Sequence, residues 1–97
     1  MIEHIVLFKF EEQTTEEQQK EAIERLTSLK GEIPGIIDIQ AGLNFSDRNK
    51  GYELGLTVRF EDKEALEQYG PHEKHQEVVA YLKEIGLSDI LVVDFEM

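Results

Sequence analysis

Hydrophobic residues alternate strictly with other residues in one stretch of the chain, and this pattern limits the fold more than any other. Residues 52–60, YELGLTVRF, place Tyr52, Leu54, Leu56, Val58 and Phe60 on one side. A period of two over nine residues predicts a β-strand with one buried face. Another layer of the protein must therefore cover that face.

Three further segments predict strands. Residues 2–10 form the first, with an apolar row on each side. One row contains Ile2, His4, Val6, Phe8 and Phe10, and the other contains Ile5 and Leu7. Residues 36–45 predict a strand with Ile37, Ile39, Ala41 and Leu43 on one side. Residues 89–96 predict the last strand, which is apolar on both sides from Ile90 to Val93.

Two segments have the period of a helix. Residues 14–35 begin with Thr14 and Glu17 at capping-box spacing and end at Gly31 and Pro34. Its predicted buried stripe contains Ala22, Ile23, Leu26 and Leu29.

The second helical segment is interrupted. Asp62 can cap residues 63–69, and Gly70-Pro71 breaks the helix because proline lacks an amide donor. Residues 72–86 resume it and end at Gly86. The predicted inward residues are Val78, Val79, Leu82 and Ile85.

The element order is βαββαβ over a single predicted domain, residues 1–97, which indicates a ferredoxin-like α+β fold with a four-stranded antiparallel sheet. Two helices cover only one face of such a sheet, so the second apolar face favours a homodimer through sheet faces. Leu7 and Val92 are predicted near that contact. The alternative is scattered surface hydrophobes, which are normal when single.

Composition limits the classes of partner and the cellular location that we expect for this chain. The chain has 10 basic and 21 acidic residues, a net charge of −11, which disfavours nucleic acid and anionic membranes. It has no cysteine, which excludes disulfides and thiolate metal sites. No window approaches the roughly 18 apolar residues of a membrane span, and the N-terminus lacks a basic leader. We therefore expect a cytoplasmic protein without a membrane partner.

Three side chains are candidates for chemistry. His4 is predicted to face the helices, and Tyr69 and His75 flank the helix break. His75 has the titration range of a general base, and Tyr69 can donate a hydrogen bond to a developing enolate. Structural interpretations remain open, with Tyr69 as an amphipathic helix cap and His75 as a solvent-facing residue among charged neighbours.

No metal or cofactor site is predicted. His72 and His75 stand at i, i+3, but no third ligand accompanies them. The segment GLNFSDRNKG lacks the glycine spacing and lysine-serine pair of a phosphate loop. Mg²⁺ held weakly by loop carbonyls leaves no sequence pattern and stays open.

The segments HIVLFKF, GLNFSDRNKGYELGLTVRFED and EALEQYGPHEKH resemble the stress-responsive A/B barrel (Dabb) domain family over nearly the whole chain. The resemblance implies a ferredoxin-like fold that dimerises through its sheets into an α+β barrel. It also implies the cofactor-free aldol cyclisation known in that family, in which Tyr69 and His75 resemble the catalytic pair and His4 a third site residue. The resemblance and the predicted strand faces together imply a pocket wall. Its residues are Val6, Phe8, Ala22, Ile23, Leu26, Leu56 and Val78.

This chain departs from the family pattern in two ways. PHEKH replaces the His-Pro-x-His that is frequent in the family. Leu26 and Val78 are aliphatic, whereas the family member that catalyses the cyclisation has aromatic side chains at the corresponding places.

Two functions follow as hypotheses. The first is a homodimer that binds a small apolar or aromatic ligand, or a partner subunit, without turnover. The alternative is a cofactor-free cyclase or lyase. A cavity of at least about 300 Å³ beside both side chains would favour ligand chemistry, whereas filling by Phe8, Leu56 and Leu82 would favour a scaffold. A structural building block of large assemblies is the third class.

Overall fold

The computed structural model describes all 97 residues, arranged as one sheet with helices on one side. The strands are β1 (Ile2–Phe10), β2 (Ile36–Leu43), β3 (Tyr52–Phe60) and β4 (Leu87–Glu96). The helices are α1 (Glu16–Thr27), α2 (Lys63–Tyr69) and α3 (Glu73–Ile85), with a 3₁₀ turn at Ser28–Gly31. The sheet is antiparallel in the order β2-β3-β1-β4, so the predicted ferredoxin-like fold is confirmed. None of the helices is both long and apolar enough to span a membrane.

The helix starts follow local hydrogen bonding. Asp62 caps α2 as predicted, accepting from the amide of Ala65. The capping box of α1 is Thr15 with Gln18, so the prediction of Thr14 with Glu17 was wrong by one position. The hydroxyl of Thr14 donates instead to the carbonyl of Ile85. A tertiary hydrogen bond thus uses the side chain that local spacing had assigned to the cap.

Two strand ends also differ from the prediction. β2 ends at Leu43, because the side chains of Asn44 and Ser46 bond to backbone groups and start the loop. β4 begins at Leu87 rather than residue 89, because Gly86 has a φ of 113° and turns the chain directly from α3 into the sheet.

The predicted helix-facing rows form the core. Val6, Phe8 and Phe10 of β1 are buried beside the apolar row of β3, which contains Leu54, Leu56, Val58 and Phe60. His4 lies in the same face, opposite Val58. The face assignment made from alternation alone was therefore correct for these residues.

A β-bulge changes the start of β3. Phe8 pairs with Leu54 but Lys9 pairs with Tyr52, so Glu53 is the extra residue. The bulge moves Tyr52 onto the opposite face from Leu54, which corrects its predicted place in the buried row. There its hydroxyl donates to Asp89 at 3.0 Å, and its ring lies beneath the Lys9 ammonium.

The face of the sheet away from the helices, here called the open face, has an apolar centre. It contains Ile5, Leu7, Leu91, Val93 and Phe95, with Ile5 opposite Val93 and Leu7 opposite Leu91. Val92 pairs with Val6 and faces the helix side, so its predicted place at a sheet–sheet contact was wrong. Since neighbouring strand residues point to opposite faces, Leu91 occupies that position instead.

Candidate functional site

A cavity of about 250 Å³ lies between α3 and the β1–β4 half of the sheet. The stripe of α3 at i, i+3, i+4, i+7 and i+8 forms one wall. The lining residues are His4, Val6, Phe8, Leu26, Leu56, Tyr69, His75, Val78, Val79, Leu82, Lys83, Leu87, Ile90 and Val92. The volume is somewhat below the 300 Å³ set as favouring ligand chemistry, and Phe8, Leu56 and Leu82 line the cavity without filling it.

The three predicted site residues meet at one end of this cavity. The ring centroid of Tyr69 lies 4.3 Å from that of His75 and 5.9 Å from that of His4. Phe60 supports the cluster from the sheet, 5.0 Å from Tyr69. The break at Gly70-Pro71 separates α2 from α3 and places Tyr69 and His75 on facing helix ends.

The hydroxyl of Tyr69 is buried without a hydrogen-bond partner. The residue is only 2% exposed, and burial raises the pKa of the phenol to about 12. The phenol therefore stays protonated at neutral pH, so it can donate a hydrogen bond but cannot serve as a base.

His75 is half-buried, and its hydrogen bonding assigns its tautomer. Its Nδ1 lies 2.9 Å from the carbonyl oxygen of Gly70. A carbonyl only accepts, so Nδ1 carries the proton and the neutral ring keeps its lone pair on Nε2. Burial lowers the pKa of His75, partly offset by the bond to Gly70, with smaller lowering from His4 and His72. The imidazole is therefore neutral and able to accept a proton at pH 7.

Acidification is expected to lower the free energy of unfolding, because the neutral, half-buried His75 must then take up a proton. A lowered folded-state pKa means that the stabilising contribution is complete above the unfolded pKa of about 6.5 and is lost as the pH falls through the folded value. Urea denaturation of the wild type and of His75→Gln at pH 7.5 and 5.5 measures this. We expect the wild type to lose free energy of unfolding relative to the variant at pH 5.5. A constant difference between the two pH values would contradict the neutral buried imidazole.

His4 has a partner that sequence reasoning missed. Its Nδ1 bonds to a carboxylate oxygen of Asp94, the residue directly opposite it on β4. Nδ1–H therefore donates to the carboxylate. His4 and Asp94 are 90 positions apart in the sequence, and only the pairing register of β1 with β4 brings them together. The available signal was an acidic residue between the apolar residues Val93 and Phe95.

Five of the seven residues predicted for the pocket wall line this cavity. Val6, Phe8, Leu26, Leu56 and Val78 border the cavity. Ala22 and Ile23 do not, which corrects their assignment, because α1 packs mainly against β2 while the cavity lies beside α3 and β4. Leu26 is the one α1 side chain at the cavity.

His72 lies outside the cavity and caps α3. Its Nδ1 accepts a hydrogen bond from the amide of Lys74 at 3.0 Å. The structure contains no group of three His, Asp or Glu side chains arranged to hold a metal ion.

Together these features define a ferredoxin-like α+β domain with an apolar pocket and a Tyr-His cluster at one end of it. The chain belongs to the Stress responsive A/B Barrel Domain (Dabb) family, whose profile matches residues 2–97. The family predicted from the sequence is therefore confirmed.

Three relatives illustrate the relationship. Olivetolic acid cyclase of Cannabis sativa is 30% identical over 76 residues, 76% of this chain and 75% of the cyclase. A dimeric ferredoxin-like protein from Jannaschia sp. CCS1 is 31% identical with a TM-score of 0.81, covering 99% of this chain and 98% of that one. A crystal structure of an Arabidopsis thaliana protein is 25% identical with a TM-score of 0.88, covering 100% of this chain and 95% of that one.

Proposed function

We propose that this protein forms a homodimer through its open face and binds a small apolar or aromatic ligand in the cavity beside Tyr69. The partnerless hydroxyl of Tyr69 carries the proposal. A buried polar group without a partner costs about 1–3 kcal/mol. A ligand whose oxygen acceptor displaced the groups that cover this hydroxyl would relieve that cost. The mostly apolar lining would hold the rest of such a ligand.

The homodimer is supported by the open face and by the relatives. Leu91, Val93 and Phe95 are each about half exposed, and no helix lies on their side of the sheet. The Jannaschia relative is described as dimeric. A contiguous apolar patch on a domain of this size is typical of an interface rather than of free surface.

Replacing Tyr69 with phenylalanine is expected to stabilise the free protein and weaken its ligand binding. Loss of the unpaired hydroxyl removes a desolvation cost of about 1 kcal/mol, which raises Tm by roughly 5 °C in a domain of this size. Acetophenone and ethylbenzene, which differ in one carbonyl oxygen, measure the binding by calorimetry. The wild type should favour acetophenone about tenfold, and Tyr69→Phe should bind the two alike.

The matched control is Tyr52→Phe, since the hydroxyl of Tyr52 lies on the open face. This variant should keep the preference for acetophenone. A wild type that does not distinguish the two probes would contradict the role given to Tyr69, and one that binds neither would contradict the ligand pocket.

A second function, the cofactor-free aldol-type cyclase or lyase, is supported by the neutral His75 beside the protonated Tyr69. In that reaction Nε2 of His75 takes a proton from the carbon next to a carbonyl. The electron pair moves to the carbonyl oxygen, where the phenol of Tyr69 donates a hydrogen bond. The similarity to olivetolic acid cyclase supports this chemistry. Enzyme-dependent exchange of the acetophenone methyl protons in D₂O would favour it, and binding without exchange would favour the first function.

A further inference from the structure

Lys83 is the one lysine or arginine among the cavity-lining residues, and the proposed function leaves it without a role. It lies on the same stripe of α3 as His75, eight residues further along. A helix rises about 1.5 Å per residue, so the backbone positions of these two residues are about 12 Å apart. The cavity therefore has hydrogen-bonding rings at one end and a cation at the other, with apolar walls between them.

The ammonium of Lys83 has no ionic partner. Four of the seven lysines, Lys20, Lys30, Lys63 and Lys74, each lie within 4.0 Å of a carboxylate. Lys9, Lys50 and Lys83 do not, and of these three only Lys83 lines the cavity. Lys83 is exposed, so its hydrocarbon stem can border the cavity while its charge stays at the mouth. The charge also interacts favourably with the C-terminal end of α3, but that interaction does not require a position on the cavity wall.

We propose that the ligand is a small amphipathic monocarboxylate, bound with its carboxylate at Lys83 and with an oxygen acceptor at Tyr69. This inference rests on the proposed function, because it needs the cavity to be a ligand site. The net charge of −11 repels anions from the protein as a whole. An unpaired ammonium at the mouth provides the local attraction that an anionic ligand requires.

The dimensions limit the length of this ligand. A cavity of about 250 Å³ has room for roughly eight waters of about 30 Å³ each, hence for a body of about eight to ten non-hydrogen atoms. An extended chain advances about 1.3 Å per carbon–carbon bond, so such a body reaches about 10 Å. This is comparable with the separation of about 12 Å between the backbone positions of His75 and Lys83.

Two probes and one substitution test the inference. The probes are 7-oxooctanoate and 2-octanone, which share the ketone and differ in the carboxylate. Lys83→Met keeps most of the length of the side chain and removes its charge. We expect it to weaken 7-oxooctanoate binding about three- to tenfold by calorimetry and to leave 2-octanone unchanged. It should also remove the loss of 7-oxooctanoate affinity that added salt causes in the wild type. Lys83→Arg should retain the wild-type affinity for both.

Lys74→Met is the matched control, because it makes the same charge change on the same helix outside the cavity. Its effect on either probe should be below about twofold. Equal weakening of 7-oxooctanoate by both methionine variants, or of both probes by Lys83→Met, would overturn the role of Lys83 and leave the pocket intact. Failure of the wild type to bind either probe would instead contradict the proposed function, and this inference with it.

Discussion

Replacing Leu91 with aspartate is expected to dissociate the proposed dimer, whereas the same replacement of its neighbour Val92 leaves the dimer intact. The two residues are adjacent on β4 and similarly exposed, at 48% and 43%. They point to opposite faces, since Leu91 pairs with Leu7 on the open face and Val92 pairs with Val6 on the cavity side. The pair of variants therefore separates the effect of the face from the effect of the substitution.

The size of the effect follows from burial. In a sheet-to-sheet dimer, Leu91 lies in the apolar centre of the open face, and an aspartate there would lose its hydration without gaining a partner. A penalty of at least about 3 kcal/mol weakens the dimer by more than about 100-fold. The carboxylate introduced by Val92→Asp would lie at the cavity mouth, where it should instead reduce the affinity for apolar probes.

Sedimentation equilibrium over a micromolar concentration range measures both variants. Leu91→Asp should sediment as a monomer and Val92→Asp as a dimer. A dimeric Leu91→Asp would mean that the subunits associate through another surface. A monomeric wild type would contradict the homodimer itself.

Replacing Gly86 with alanine is expected to destabilise the fold by about 2–3 kcal/mol. The residue has a φ of 113°, a conformation that L-residues adopt only at a cost of about 1–2 kcal/mol. An added Cβ would also lie 2.6 Å from the hydroxyl oxygen of Thr14. Moving Thr14 away would weaken its bond to the Ile85 carbonyl, which costs about 1 kcal/mol more.

The position of Gly86 explains why the loss is global. Its carbonyl accepts from the amide of Glu11 at 2.7 Å, so the β1–α1 loop and the α3–β4 turn hold each other. Gly31→Ala is the matched control, because nothing lies within 4 Å of a Cβ there. Thermal denaturation should show a fall in Tm of about 10 °C or more for Gly86→Ala and little change for the control. Equal Tm values would contradict the tight turn.

The fold was predictable because its main signals are local. Alternation in β1 and β3 identified the strands and their buried faces, and Asp62, Gly70-Pro71 and Gly86 were correctly read as helix signals. The errors occurred where distant residues intervene. Thr14 bonds to Ile85 instead of capping α1, and the bulge at Glu53 moves Tyr52 to the other face.

Sequence reasoning identified side chains that lie together at one end of the cavity, but it did not predict their hydrogen bonding. Family resemblance and the helix break identified His4, Tyr69 and His75, and the structure brings them together. The pocket wall was partly wrong, because sequence spacing does not show which half of the sheet a helix crosses. Ala22 and Ile23 belong to the half under α1, away from the cavity.

By itself the sequence determined the element order, the helix-facing rows of the sheet and the excess of apolar surface on the opposite face. These properties depend on the period of side chains along a helix or strand, which neighbouring residues set. Only the tertiary structure decided that Asp94 bonds to His4, that the Tyr69 hydroxyl has no partner and that Lys83 borders the same cavity. Those properties depend on strand register and helix packing, which bring together residues far apart in the chain.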